Sequence, residues 1–494
     1  MKAIKALKLG RSCDKNGVSA EMVKHAPPDF HIQLLECFNQ MINDGQTNES
    51  WKQVFFTMVP KLGDLSQANN WRPIAILPIF YKILSRMIYE RLRPNLDWHQ
   101  CSDQTGFRTG IRIEEALVIA EVLIAKTSEF QLPLFMASLD LKKAFDRIEH
   151  KALFESLREQ GASDPYIAFL LDIYCGQMGS ANGSRTFSIE RGVRQGDVLS
   201  SLLFNAALEA VFVKWKQRLG EHGWHIGNHT ENLTNTRYAD DVLLYAKSLR
   251  ELQEMLQLLH DELRRVGLEM HESKTKVLTS VHVSENTLSV RGLSIEILPV
   301  DASHKYLGKL LCLDATSRLD TAFNHRLGVA WGKFNSLRRW LVNRHIPMKL
   351  RLKLFESTVQ PTALFGLVAL PLGSRNLERL AATQRKMLRN IVGWVRHAED
   401  DWHATMSRMK QKMERAEQSH KLVPWDELLS RQQAKFALHL RDSKCEWPRR
   451  LAAWSPVGAR PRARPRLRWD DAINKRCPPN WIMCSRADLL NSLA

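Results

Sequence analysis

Hydrophobic positions recur with two different periods along this chain. Residues 1–60 read as helices interrupted by Pro27-Pro28 and by the polar stretch Asn43–Ser50. Trp71-Arg72-Pro73-Ile74 leads into an amphipathic helix through Tyr81, Leu84, Ile88 and Leu92, which Pro94 is expected to end. Cys101–Arg112 is polar and punctuated by glycine, so it reads as a loop. Leu117, Ala120 and Ile124 mark one face of a helix over Glu114–Ser128. Leu132–Leu141 is a short apolar run, a buried strand that carries Asp140 at its end. Helices are expected over His150–Gln160 and Pro165–Cys175. The alternation of Thr186–Val193 predicts a strand, followed by a Gly-rich turn, Gly192–Gly196, and a helix over Leu199–Leu219. Asn235–Lys247 holds two strand-like runs around Ala239-Asp240-Asp241, a hairpin pattern. Leu249–Val266 is strongly amphipathic and stops at Gly267. Short strands follow at Lys276–Ser280, Leu288–Val290, Ile295–Leu298 and Tyr306–Cys312. Beyond residue 317 the pattern is almost all helix, until the Pro/Arg-rich residues 455–470, which are expected to be extended. The pattern predicts an α+β centre flanked by helices.

Charge divides the same chain in two. Residues 1–316 carry 37 basic and 38 acidic side chains, residues 317–370 carry 9 and 2, and residues 371–494 carry 25 and 13. The net +18 therefore lies C-terminal to residue 317. A basic region of this size suits a polyanionic partner, most simply nucleic acid. No apolar run reaches the ~18 residues of a membrane span, so no membrane partner is expected. The N-terminus lacks a signal-peptide core, and the eight cysteines form no CxxC pair. An intracellular protein, in the nucleus or in a cytoplasmic ribonucleoprotein and not secreted, is expected.

Two acidic sites lie in apolar strand context, Met136-Ala137-Ser138-Leu139-Asp140 and Tyr238-Ala239-Asp240-Asp241-Val242. A carboxylate at the end of an apolar strand is costly unless paired or ligated. Taken alone, Asp240-Asp241 fits a plain turn, since Asp is a good turn former. A third carboxylate from a neighbouring strand would instead complete a hard-oxygen site of the kind Mg²⁺ prefers, with water and substrate phosphate. Two ions (Mg²⁺, with Mn²⁺ an alternative) held this way serve in-line phosphoryl transfer.

Ordered blocks carry a more specific signal. Trp71–Ile74 with Tyr81-Lys82-Ile83-Leu84-Ser85-Arg86, then Gln104-Thr105-Gly106-Phe107-Arg108, then Asp140–Asp146, Gly192–Ser200, Tyr238–Asp241, Gly267–Met270 with Lys274-Thr275, and Tyr306-Leu307-Gly308 resemble, in order and spacing, the blocks of non-LTR retrotransposon (LINE-type) reverse transcriptases. The resemblance implies a right-hand polymerase, its fingers and palm built on antiparallel sheet, followed by a helical thumb and a basic helical C-terminal region. It divides the chain into fingers and N-terminal region (1–135), palm with motifs A to D and primer grip (136–316), thumb (317–395), and basic region with its Arg/Pro-rich tail (396–494).

The same resemblance implies roles. Asp140, Asp240 and Asp241 form the catalytic metal triad. Phe145 lies against the sugar of the incoming nucleotide and excludes a 2′-hydroxyl. Gln195 and Gly196 approach that nucleotide, Lys274 lies near the leaving pyrophosphate, and Arg72 and Lys82 are triphosphate contacts from the fingers. Tyr306, Leu307 and Gly308 form the primer grip. Asp146 and Lys143 are expected to be structural. Asp197 and Ser201 stand where the family usually has proline, and His271 where it has asparagine; Asp197 could cap the following helix. Arg338, Arg339, Lys349, Arg351 and Lys353, with Trp331, Phe334 and Trp340 as bundle core, suit a surface that grips a duplex by its phosphates. Arg462, Arg464 and Arg466 of the tail alternate with proline and could each meet a phosphate or form a localisation signal.

The expected activity is RNA-directed DNA synthesis, a nucleotidyl transfer from dNTPs to a primer 3′-hydroxyl, with an RNA template, a DNA primer and the RNA–DNA hybrid as partners. A non-catalytic nucleic-acid-binding derivative and an intron maturase are the alternatives. Fingers-like sequence begins within the first twenty residues, and no Cys/His knuckle or nuclease cluster follows. Either a truncated element or an endonuclease supplied in trans is expected. A fragment ending at residue 316 is expected to keep the metal site and to lose the salt-sensitive grip.

Overall fold

The computed structural model describes residues 1–474 apart from 62, 68–69, 182–184, 228–229, 396, 398, 400 and 458–466. Its centre is a six-stranded sheet. The strands are β3 (Phe135–Leu139), β6 (Asn235–Tyr238), β7 (Asp241–Ala246), β8 (Lys276–Thr279), β9 (Thr287–Val290) and β10 (Leu293–Ile297), in the order β6-β7-β3-β8-β10-β9. All five residues of β3 are buried. β7 and β8 flank β3, both antiparallel to it. A strand covered on both faces has no polar side to alternate with, which is why Leu132–Leu141 reads as one apolar run.

Successive side chains of these strands enter two different cores. Phe135, Ala137, Leu139, Val242, Leu244 and Ala246 pack with the helices His150–Glu159, Val198–Leu219 and Leu249–Arg265. Met136, Leu243, Tyr245 and Leu278 face the other way, onto the helix Ile113–Glu129 and the C-terminal helices. Ile113–Glu129 is buried on nearly every side rather than along one face, because the palm sheet, the thumb and residues 425–469 enclose it. Val198–Leu219 is the one helix among the described residues long and apolar enough to cross a membrane, and it is mostly buried in the first core.

The fingers carry a second sheet, β2-β1-β4-β5, from β1 (Gln53–Pro60), β2 (Trp71–Ile76), β4 (Gln177–Ala181) and β5 (Phe187–Ile189). Residues 53–60 are thus a strand, not helix, as β-branched and aromatic residues against a partner strand favour. Pro94 does not end its helix, which runs Ile79–His99. Leu92 and Leu96 are both core residues, so packing outweighs the missing N–H, and the Arg108 guanidinium takes the Asp97 carbonyl at 3.0 Å near the helix end. Tyr306–Cys312 is a hairpin rather than one strand: β11 (Ser303–Tyr306) and β12 (Lys309–Cys312) are joined at Leu307-Gly308, both with positive φ, the backbone of a type I′ turn.

Beyond residue 317 the main helices are Arg318–Ser336, Ser374–Val392, Trp402–Ser419, Trp425–Asp442 and Trp447–Ala453. Trp425 and Trp447 are fully buried in the second core. Trp331 is half-buried and Phe334 is core as expected, but Trp340 is exposed, with the Arg339 guanidinium 4.9 Å from its ring.

Candidate active site

The register places three carboxylates together. β3 pairs Leu139 with Val242, so the next step sets Asp140 opposite Asp241. Tyr238 pairs with Asp241, which leaves Ala239-Asp240 as the two-residue turn of the β6–β7 hairpin. Ala239 takes φ +56°, a left-handed conformation uncommon outside glycine. Burial and the charge of Asp140 raise the Asp240 carboxyl above its ordinary range, while Arg72 from β2 pulls against them. Desolvation, then the charges of Asp240 and Asp140, push Asp241 up to about 6. Three carboxylates held in mutual repulsion fit a hard divalent cation. Among the described residues no three His, Cys, Asp or Glu side chains close a metal cage by themselves.

Motif D lies alongside motif A. The His271 N–H donates to the Asp140 carbonyl at 2.7 Å, and the Asp140 N–H donates to Thr275 Oγ1 at 3.3 Å. Position 271 works here through its backbone, so histidine in place of asparagine leaves the strap intact. Lys274 Nζ stands 3.5 Å from Asp140 Oδ2, beside one of the three carboxylates.

Motif B is tied to both fingers and palm. Gln195 Nε2 donates to Asp146 Oδ1 at 2.8 Å, and the Gln195 carbonyl accepts from the Ala75 N–H of β2 at 2.8 Å. Asp146, whose carboxyl burial raises, thus orients Gln195; its adjacency to motif A in sequence could not show that. Gly196 has φ +110°, and a Cβ there would stand 3.3 Å from the Ala75 carbonyl, so its close approach is to the fingers strand. Asp197 caps the helix Val198–Leu219 through the Leu199 N–H and accepts from Tyr81 Oη at 2.6 Å and from Ser85. This buried network replaces the proline that the family usually has.

Phe145 is half-buried with its ring stacked on Phe204, centroids 4.4 Å apart. Lys82 is half-buried near the start of the helix Ile79–His99. Of the expected primer grip, Tyr306 is buried, with Tyr245 and Asp241 close enough to add to the effect of burial on its hydroxyl. Leu307 and Gly308 form the turn, and Gly308 packs near Phe365.

The basic residues separate into two kinds. Arg338, Arg339, Lys349 and Lys353 are exposed. Arg351 is buried, and its guanidinium donates to the carbonyls of Ile391 at 2.5 Å and Ile346 at 3.0 Å, so it ties helices together. Its i, i+2 spacing from Lys349 and Lys353 puts it on the opposite face of the helix Met348–Leu354. Arg462, Arg464 and Arg466 lie outside the described residues.

Residues 59–310, just over half the chain, match the family "Reverse transcriptase (RNA-dependent DNA polymerase)". The chain belongs to the reverse transcriptase family. It is 26% identical over 270 residues to the Drosophila melanogaster "Retrovirus-related Pol polyprotein from type-2 retrotransposable element R2DM", covering 54% of this chain and 25% of that protein. It is 29% identical over 342 residues to the Popillia japonica type-1 R2 polyprotein, covering 65% and 45%. It is 24% identical over 394 residues to the Drosophila melanogaster "RNA-directed DNA polymerase from mobile element jockey", covering 76% and 41%. These relatives bear out the LINE-type resemblance; the chain spans less than half of each of them. A solved apo telomerase from Candida tropicalis overlaps 86% of this chain and 73% of its own, with TM-score 0.40 and 14% identity.

Proposed function

We propose that this chain extends a primer 3′-hydroxyl with deoxynucleotides on an RNA template, as part of a retrotransposon. The observation that carries this reading is the convergence of Asp140, Asp240 and Asp241 at adjacent strand ends, with Arg72 and Lys274 around them. The three carboxylates would hold two Mg²⁺ ions, which when bound supply charge stabilisation for in-line phosphoryl transfer. Arg72, whose charge is felt at Asp240, would meet the triphosphate. Lys274 would leave Asp140 for the pyrophosphate as it departs. Phe145, backed by Phe204, would set its ring where a 2′-hydroxyl would otherwise fit. The exposed cations of the thumb would hold the RNA–DNA hybrid by its phosphates, and an endonuclease would act in trans.

Primer extension on an RNA template with Mg²⁺ tests this, with Asp240→Ala beside the parent chain. Template-dependent product from the parent and none from the variant is expected. Equal product from both would sink the proposal.

A further inference from the structure

The loop 103–106, which overlaps the block Gln104–Arg108, lies against the turn that carries Asp240. It runs along β6 like a short extra strand. The Arg237 N–H donates to the Asp103 carbonyl, and the Thr105 N–H to the Arg237 carbonyl, each at 2.8 Å. Thr105 Oγ1 donates to that same carbonyl at 2.8 Å. At Gly106 the two backbones nearly touch: a Cβ there would stand 2.4 Å from the Ala239 nitrogen and 2.8 Å from the Tyr238 carbonyl carbon. No side chain can be accommodated, since both obstacles are backbone. Asn205 Nδ2 holds the Gly106 carbonyl at 2.8 Å from the opposite side.

Gln104 sits at the centre of this contact and is fully buried. Its Oε1 accepts from the Gly106 N–H at 2.9 Å and from the Ala239 N–H at 3.0 Å. Ala239 is the left-handed residue that turns the chain into Asp240 and Asp241. Gln104 Nε2 has no hydrogen-bond partner among the described residues. Burying an unpaired donor costs about 1–3 kcal/mol, which an apolar side chain of the same length would avoid. An amide here is therefore explained by its oxygen, which is the part that meets the turn.

We propose that Gln104 is a positioning residue for polymerisation: its side-chain oxygen holds the Ala239 N–H, and so fixes the strained turn that aims Asp240 and Asp241 at the metal. This rests on the polymerase reading above.

The test compares Gln104→Met, Gln104→Glu and the double variant Gln104→Met/Ala239→Gly. A small displacement of reacting groups slows chemistry by about 10- to 100-fold, so Gln104→Met should lower kcat by that range. KM for primer–template, and hybrid binding measured without metal, should stay within about two-fold, because the turn meets the ion and not the duplex. Half-maximal activity should need more Mg²⁺. Gln104→Glu keeps an accepting oxygen and should retain kcat better than Gln104→Met. Glycine at 239 adopts the left-handed turn without help, so the double variant should be faster than Gln104→Met alone.

Unchanged kcat in Gln104→Met would overturn the proposal. So would a parallel loss of kcat, hybrid binding and Tm, or a double variant no faster than the single. Should Gln104→Met not fold, Gln104→Glu decides: kcat near the parent's supports the proposal, and a loss as deep as that of Asp240→Ala overturns it. A parent chain that extends no primer would mean failure of the polymerase reading itself, a result distinct from an active parent with an equally active Gln104→Met.

Discussion

Charge and packing divide this molecule at different places. Residues 1–316 are net −1 and the rest strongly cationic, as though a neutral catalytic body had been joined to a basic handle. The hydrophobic cores run across that boundary. The first joins the fingers to one face of the palm sheet. The second joins the opposite face of the same sheet, through Met136, Leu243, Tyr245 and Leu278, to residues 317–473. Trp447 reaches back to within 2.6 Å of Asp103 Oδ1, on the loop that braces the catalytic turn. Arg468 makes paired 3.0 Å contacts with Glu129, and the Trp469 indole donates to the Val368 carbonyl. Charge sets the residues after 316 apart from the rest of the chain, while packing makes residues 317–473 one wall of the palm.

The largest expected effect follows from that difference and reverses the expectation drawn from charge. A fragment of residues 1–316 uncovers the helix Ile113–Glu129 and the back of the palm sheet. It should fail to fold cooperatively, with lost near-UV circular dichroism and strong binding of an apolar dye. A fragment with a sharp melting transition would mean that the second core is dispensable.

The next effect lies on the seam between palm and thumb. Glu121 on the helix Ile113–Glu129 meets Lys309 of β12 and Arg318 of the helix Arg318–Ser336, each at 2.6 Å, and all three are buried. Burial raises the Glu121 carboxyl, but Lys309 and Arg318 more than offset it and hold it low. Burial brings the Lys309 ammonium down to about 8. Removing one partner of a buried pair leaves an uncompensated charge, so Glu121→Gln should cost about 3–5 kcal/mol by denaturant unfolding. The pH sign follows from Lys309. Its folded pKa is below the unfolded one, so the unfolded chain binds more protons between about pH 8 and the ordinary lysine range. Stability should rise with pH across that window, and Lys309→Met should abolish the rise. A flat profile in the parent would show that the ammonium is not held in the seam.

How much of this was legible in the sequence depends on how local each feature is. Asp140, Asp240 and Asp241 were readable because strand periodicity and a turn bring them together over short stretches. The elements missed were those decided by partners distant in sequence. Residues 53–60 become a strand by pairing with β2 and β4, the latter more than 115 positions away. Pro94 stays helical because Leu96 has a core to enter. The split of β3 between two cores has no signature in a run apolar at almost every position. Gln104 could be flagged as part of a block, but its role depends on a hydrogen bond across 135 residues.

Within the site, the expected effect is one of pH. The unfolded Asp241 titrates near 3.8 and the folded one at about 6, so protonation favours the fold, and that contribution is lost as pH rises from about 4 to 6. The side chain is exposed, so solvent screening holds this to on the order of 1 kcal/mol or less. Metal binding reads the same group more clearly. The Mg²⁺ concentration for half-maximal extension should rise roughly tenfold per pH unit below about 6, where each ion bound must displace one proton. Above that it should level off. Asp241→Asn should remove the pH dependence along with most of the activity, whereas a parent profile flat down to pH 5 would mean that Asp241 is not a ligand.

The smallest effects separate the two kinds of basic residue. Arg338 and Arg339 are exposed and available to phosphate. Losing one phosphate contact lowers the slope of log K against log salt by roughly 0.7–0.9, with little change in Tm. Arg338→Ala and Arg339→Ala should each do this. Arg351→Ala should do the reverse. Its guanidinium satisfies the Ile346 and Ile391 carbonyls inside the thumb, and its loss leaves those groups buried and unpaired. Tm should fall while the salt slope of the folded fraction stays that of the parent. Three of the cations that sequence alone groups together, Lys349, Arg351 and Lys353, lie within five residues on one short helix. A lower salt slope in Arg351→Ala at unchanged Tm would place its guanidinium at the duplex after all, and would move the boundary between grip and wall into the thumb itself.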